Sequence, residues 1–203
     1  RNKIALPESQ IKYLKSLRKS AGNKPIILVV KSGSAIDLSE IYGYVDAIIY
    51  AWYLGEQGGN AIADVIFGDV NPSGKLPITI PKSLSHLPEY DDYSMNNRTY
   101  RFTRHEPMFP FGFGLSYSNF IYSKLSINKH KIKSGDSIEL NFQIYNDSEF
   151  FGEEVIQLYV KDMESSFRTP NSSLKFFKRI KLKPGEKRSV NVLLDKEMYS
   201  VIN

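Results

Sequence analysis

Gly55-Glu56-Gln57-Gly58-Gly59-Asn60-Ala61-Ile62-Ala63-Asp64-Val65-Ile66-Phe67-Gly68, continued by Asp69-Val70-Asn71-Pro72-Ser73-Gly74-Lys75-Leu76-Pro77-Ile78-Thr79-Ile80-Pro81, is the stretch whose reading decides the fold. Gly55, Gly58 and Gly59 allow a tight backbone turn that side chains with a Cβ would resist. Asn60 is a candidate N-cap, and Ala61, Ile62, Val65 and Ile66 fall on one helical face. Gly68 is placed to end that helix. Asn71-Pro72-Ser73-Gly74 has the composition of a turn, and Leu76, Ile78 and Ile80 alternate as a strand does. The run Val45–Trp52 before the glycines is continuously apolar, which suits a strand buried on both faces. Strand, loop, helix, turn and strand in this order are an α/β signature.

Working outward, Pro7 suits the first turn of a helix with Ile11, Leu14 and Leu17 as its buried stripe and Lys12, Lys15, Arg18 and Lys19 facing solvent. Pro25–Val30 is a second buried strand, closed by Ser32-Gly33-Ser34. Ligands commonly bind at such strand ends in α/β sheets, but an ordinary strand-to-helix turn has the same composition. Periodicity vanishes from Lys82 to Met108, so a long ordered loop is expected there. From Phe120 onward the period becomes two, clearest in Ser137–Ile144, Val155–Val160 and Val190–Leu194. Turn signals at Ser134-Gly135-Asp136, Asn146-Asp147-Ser148 and Pro184-Gly185-Glu186 separate these strands, which is the pattern of a β-sandwich.

Composition narrows the function classes. The 203 residues carry a formal net charge of +5, with 41% hydrophobic and 24% charged residues, as soluble globular chains do. Neither half is basic enough to demand a nucleic-acid partner, and no apolar run is long enough to span a bilayer. Zero cysteines rule out disulfides and thiolate metal sites. His86, His105 and His130 are scattered without ligand spacing, and no G-x-S-x-G is present for a serine nucleophile. The basic run Lys175, Lys178, Arg179, Lys181, Lys183, Lys187 and Arg188 reads as a charged strand face. Asp91-Asp92 read as solvated or as partners of an arginine, and of Glu153-Glu154 one is expected to face solvent. Asn97-Arg98-Thr99, Asn146-Asp147-Ser148 and Asn171-Ser172-Ser173 fit the glycosylation sequon, a triplet common by chance.

Ala51–Pro81 resembles, nearly position by position, the C-terminal α/β sandwich domain of glycoside hydrolase family 3, the exo-acting β-glucosidases and β-xylosidases. Leu54 stands where proline is usual, and Glu56-Gln57 reverses the commoner order. Asp91–Tyr117 (DDYSMNNRTYRFTRHEPMFPFGFGLSY) resembles a further segment of that family, in its β-xylosidase-type spelling. Gly152–Asp162 and Leu174–Glu186 resemble the fibronectin type III-like domain that ends many of its members. The resemblance therefore implies an α/β sandwich domain over residues 1–81, an aromatic-rich loop between domains over 82–118 and a fibronectin type III-like β-sandwich over 119–203. It also implies that the first part of the α/β domain and the last strands of the β-sandwich lie outside these residues.

Retaining hydrolysis needs two carboxylates about 5 Å apart. The resemblance places the nucleophilic aspartate on an N-terminal barrel and the acid/base glutamate a few residues before Arg1, because Arg1–Pro7 is similar to the family's D-R-x-x-L-x-L-P. No catalytic residue is thus expected in this chain, and no cofactor or metal. The expected partners are an oligosaccharide or glycoside substrate and the barrel, with a homodimer left open and no nucleic acid or membrane. A periplasmic or secreted location goes with the family. Ten aromatics lie from Tyr90 to Tyr122. Within them Arg98, Tyr100 and Arg101 are the candidate substrate-binding residues, since planar guanidinium forks and aromatic faces suit sugar edges. The same residues equally suit pinning the loop, whereas Phe109, Phe111 and Phe113 read as packing. A non-catalytic module that binds polysaccharide or protein is the rival class.

Overall fold

Residues 3–200 are described in the computed structural model. Pro7, at φ −54° and ψ 142°, precedes helix α1 (Glu8–Ala21), and its carbonyl accepts from the N–H groups of Gln10 and Ile11. Gly22, at φ 57°, closes the helix by donating its N–H to Arg18 O. α1 buries Ile11 and Leu14 against Val30, Leu38 and Ile41, while Leu17 is half-buried. Arg18 departs from the solvent-facing expectation. Its guanidinium donates to the carbonyls of Tyr44 at 3.1 Å and Lys24 at 3.0 Å and pairs with the Asp46 carboxylate. A long side chain at a helix C-terminus reaches the unpaired carbonyls around it, so the cation closes the end of the helix and anchors the next strand.

Strands β1 (Ile27–Val30) and β2 (Ala47–Tyr50) pair in parallel, with Ile27 opposite Ala47 and Val30 opposite Tyr50. The crossover between them holds a 3₁₀ turn at Tyr42–Tyr44. Both strands were expected to be buried on two faces, yet Ile27 is 41% exposed and the rest of the pair is mostly half-buried. Among the described residues this sheet has two strands, and α1 with residues 36–45 supplies its main apolar packing.

Helix α2 (Gly58–Phe67) begins two residues ahead of the expected cap. Asn60 therefore sits in its first turn, where its amide donates to Gln57 Oε1. Gly58 is required at the start, because a Cβ there would lie 2.4 Å from Leu54 Cβ. Ala61 is exposed, while Ile62, Val65 and Ile66 are half-buried. Gly68, at φ 88°, ends the helix as expected. The expected strand Leu76–Ile80 is instead an extended segment held at two points. Leu76 N–H donates to Phe113 O at 2.8 Å and Ile80 N–H to Phe109 O at 2.9 Å. Pro77 has no N–H to continue the ladder.

Two units emerge: the chain up to Ile66 with Leu76–Phe113, and Phe67–Lys75 with the chain from Gly114 onward. The second is a β-sandwich. β3 (Phe120–Ile127), β4 (Ile138–Asn146) and β7 (Lys187–Leu194) form one antiparallel sheet with β4 central. β5 (Gly152–Val160) and β6 (Ser173–Leu182) form the other. Leu140, Phe142, Ile144, Val190 and Val192 from the first meet Ile156, Ile180 and Leu182 from the second in one core. The alternating burial of β4 and β7 is the period-two pattern of the sequence.

Asn71–Gly74, expected as a turn, is an irregular segment with neither turn nor bend, and it packs in this second unit. Asn71 donates to Ser118 Oγ at 2.8 Å and Phe151 O at 2.9 Å, and accepts from Ser116 Oγ and Tyr117 N–H. Lys75 donates to Gly114 O at 2.8 Å and pairs with Glu154 at 3.2 Å, the two side chains being 15% and 13% exposed. Glu153 pairs with Arg179 and Lys181 at 3.0 Å each. Glu154 is the more buried of the two; consecutive strand residues face opposite ways, and each here meets a cation.

Candidate functional site

In the 82–108 loop, two short turns give order without a sheet: a 3₁₀ turn at Leu84–His86, capped by the Ser83 hydroxyl, and helix α3 (Thr99–Phe102). Arg98 stands just before α3. Its guanidinium donates to the carbonyls of Glu89 at 2.8 Å, Tyr90 at 3.5 Å and Asp92 at 2.8 and 3.1 Å. Its partners are main-chain carbonyls rather than the carboxylates of Asp91, Asp92 or Glu106. The Asp92 carboxylate accepts from Ser94 N–H instead, and Glu106 pairs with Lys82 at 2.5 Å. The Lys82 hydrogen bond and charge hold the Glu106 carboxyl below the usual carboxylate range. Tyr100 stacks on Phe111 with centroids 4.3 Å apart and planes 17° apart, and the Arg101 guanidinium lies 5.7 Å from the Phe102 ring centroid. Phe109 and Phe113 stack at 5.5 Å. Met95, Asn97 and Thr99 all have φ between 55° and 62°, left-handed values unfavourable for residues other than glycine and asparagine.

His86 and His105 stack with centroids 4.4 Å apart beside a cleft of about 40 Å³ lined by Thr79, Asn97, Thr99 and Glu106. Thr79 Oγ1 and His86 Nδ1 are buried there without a hydrogen-bond partner. The space suits about one water molecule and is far below that of a sugar site. Among the described residues no group of three His, Cys, Asp or Glu side chains is placed to hold a metal ion.

The carboxyl ends of β1 and β2 form a second locus. Ser32 Oγ donates to Ser34 O at 2.9 Å and accepts from Ser34 N–H, folding the loop on itself. Tyr50 donates its hydroxyl to the same Ser34 carbonyl, and burial pushes its phenol pKa up. The Tyr50 and Trp52 rings lie 4.8 Å apart, and Trp52 has φ 55°. Tyr53 lies over Gly33. The sequence singles out Ser32–Ser34 and places both Tyr50 and Trp52 in a strand, whereas β2 ends at Tyr50. The aromatic cluster Tyr50-Ala51-Trp52-Tyr53 at a strand end was the available signal.

The Glycosyl hydrolase family 3 C-terminal domain matches residues 1–117, and the Fibronectin type III-like domain matches residues 154–203. A periplasmic β-glucosidase of Salmonella typhimurium is 36% identical over all of this chain, which covers 28% of that protein. A xylan 1,4-β-xylosidase of Xylanibacter ruminicola is 41% identical over 97% of the chain and 22% of its own length. The crystal structure of β-glucosidase 3B from Thermotoga neapolitana in complex with glucose superposes with a TM-score of 0.88 at 28% identity, over 98% of this chain and 30% of that one. A Listeria innocua β-glucosidase in complex with glucose gives a TM-score of 0.83 at 31% identity, over 97% and 29%. This chain belongs to glycosyl hydrolase family 3, whose C-terminal domain and fibronectin type III-like domain it carries.

Proposed function

We propose that this chain is the C-terminal portion of a retaining exo-β-glycosidase that releases terminal β-D-glucosyl or β-D-xylosyl residues from oligosaccharides or glycosides. The observation that carries this reading is a 36% identity to a β-glucosidase maintained over the whole chain, across both units. The catalytic carboxylates are assigned to other segments of such an enzyme, and the loop bearing Arg98, Tyr100 and Arg101 to the leaving-group side of its pocket. Within that loop the roles divide. Arg98 holds the 89–92 backbone, and Arg101, exposed at the end of α3, is the better placed to meet a sugar.

A chimera tests the reading. This chain replaces the matching C-terminal segment of the Salmonella enzyme, and turnover of 4-nitrophenyl β-glucoside and β-xyloside is measured. Activity on either substrate is expected, whereas the chain by itself should turn over neither. A folded chimera without activity would overturn the assignment. In the active chimera, Arg101→Ala should lower kcat/KM for disaccharides about tenfold while sparing the aryl glycoside. Arg98→Ala should lower both together, with a fall in Tm. Equal losses on both substrates for Arg101→Ala would remove it from the binding site.

A further inference from the structure

We propose that the carboxyl edge of the β1–β2 pair is a saccharide-stacking site, with Tyr53 as its ring, Trp52 as its positioning residue and the Ser32–Ser34 loop as its polar rim. It rests on the glycosidase reading for the class of ligand, a β-linked glucosyl or xylosyl oligosaccharide. Its location comes from the structure.

In an open parallel sheet the strands end where the crossovers turn away, leaving a crevice at their carboxyl ends. Here the two strand ends are in register, Val30 opposite Tyr50, and Ala51 N–H still donates to Val30 O at 2.8 Å. The very next residue breaks the extended path. Trp52 at φ 55° holds a left-handed conformation that a bulky side chain keeps only where its surroundings impose it. The Tyr50 ring, 4.8 Å from the indole, is one such support.

The turn at Trp52 carries Tyr53 back over the end of β1. There the Cε2, Cζ and Cδ2 side of its ring covers Gly33 so closely that a Cβ on Gly33 would lie 2.5 Å from Cε2. The ring is thus seated on backbone, and 78% of the residue remains open to solvent. Tyr90 and Tyr93 are also highly exposed, but neither has a ring contact or a glycine seat of this kind among the described residues. A seated, open aromatic ring beside hydroxyls matches a gluco- or xylopyranose, whose equatorial hydroxyls leave both ring faces lined by C–H groups. The C–H face stacks on tyrosine, and one equatorial hydroxyl donates to Ser32 Oγ, whose own proton goes to Ser34 O. The Ser32–Ser34 turn is already closed by its own hydrogen bonds and by Tyr50, so little ordering is needed on binding.

Trp52 is the only tryptophan in the chain, so its emission reports on this edge alone. The 203-residue chain is titrated with cellotetraose and with xylotetraose, following tryptophan emission and, in parallel, the heat of binding. A saturable change is expected with at least one of them. Tyr53→Ala should weaken it at least tenfold without lowering Tm, and Gly33→Ala should do the same by displacing the ring. Tyr90→Ala should leave it unchanged. Absence of saturable binding by both readouts in the unaltered chain, or equal affinity in Tyr53→Ala, would overturn the site. The chimera's turnover of aryl glycosides is read separately. An inactive chimera with intact Tyr53-dependent binding would sink the glycosidase reading and leave the site standing, and the reverse pattern would sink only the site.

Discussion

Asn146 has no exposed surface, and a polar amide is tolerated there because every part of it is used. Its Nδ2 donates to Phe150 O at 2.8 Å and Leu182 O at 3.2 Å, its Oδ1 accepts from Ser148 Oγ, and its main chain pairs with Gly185 and Glu186. The sequon that begins at Asn146 therefore offers no accessible acceptor nitrogen. Asn146→Ala leaves buried carbonyls unpaired, at about 1–3 kcal/mol for such a group. Urea denaturation should show a loss of about 2 kcal/mol or more. Asp46 gives a pH signature. Its carboxylate accepts from Ile26 N–H at 2.6 Å and pairs with Arg18, and these two interactions, in that order, lower its pKa. A lowered folded pKa means stability present above the unfolded value of about 3.9 and lost as pH falls through the folded one. The Tm difference between the unaltered chain and Asp46→Asn should be clear at neutral pH and vanish at pH values well below 3.9.

At the scale of elements, close approaches of backbone to backbone decide more than propensity does. A Cβ on Gly114 would lie 2.0 Å from Gly74 O, and one on Gly152 would lie 2.4 Å from Ser118 Oγ. Gly114→Ala meets a main-chain oxygen, whereas Gly152→Ala meets side-chain atoms only, Ser118 Oγ and, at 2.8 Å each, Ser118 Cβ and Phe120 Cζ. Gly114→Ala should therefore be the costlier of the two, at about 3 kcal/mol or more, against the 1–3 kcal/mol usual for overpacking. Thermal melts of both variants check the order. The extended segment at 76–80 makes a separate prediction. Leu76 and Ile80 donate to Phe113 and Phe109, so their amides should exchange with solvent more slowly than that of Ile78 between them.

For the molecule as a whole, the consequential feature is that the second unit takes a segment from the middle of the chain. Phe67–Lys75 supplies Asn71 and Lys75 to the β-sandwich. Tyr122 hydrogen-bonds Glu154 at 3.2 Å, and its phenol pKa is pushed strongly upward by burial, with Glu154 adding to the effect, so it remains a donor. It brings no positive charge. Removing Lys75 thus leaves the Glu154 carboxylate, 13% exposed, without its cation. Breaking one side of such a pair costs about 3–5 kcal/mol. A polypeptide of residues 67–200 should withstand denaturant better than one of 114–200, and Lys75→Met in the former should cost about 3 kcal/mol. Equal midpoints would show that the segment contributes nothing to the sandwich.

The order of elements and the change from an α/β pattern to a period-two pattern near Phe120 were legible in the residues alone. Apolar periodicity is written locally, and so is Gly68, the glycine that ends α2. The family was legible too, because Ala51–Pro81 carries a long spelling in register rather than a single short motif. Other features were decided only by tertiary structure. Arg18 and Glu154 look like surface charges until a distant Asp46 or Lys75 is brought beside them. Leu76–Ile80 alternates like a strand, yet Pro77 and the position of Phe109–Phe113 reduce its pairing to two points. Arg98 reads equally as a sugar ligand or a loop pin, and its hydrogen bonds to three carbonyls appear only once the loop is folded. Tyr53 belongs with these: that its ring covers Gly33, twenty residues earlier, follows from the parallel register of β1 and β2 and the reversal at Trp52. Long-range pairing of groups remote in sequence has no local signature, and that is why the candidate sites, unlike the fold, had to wait for the structure.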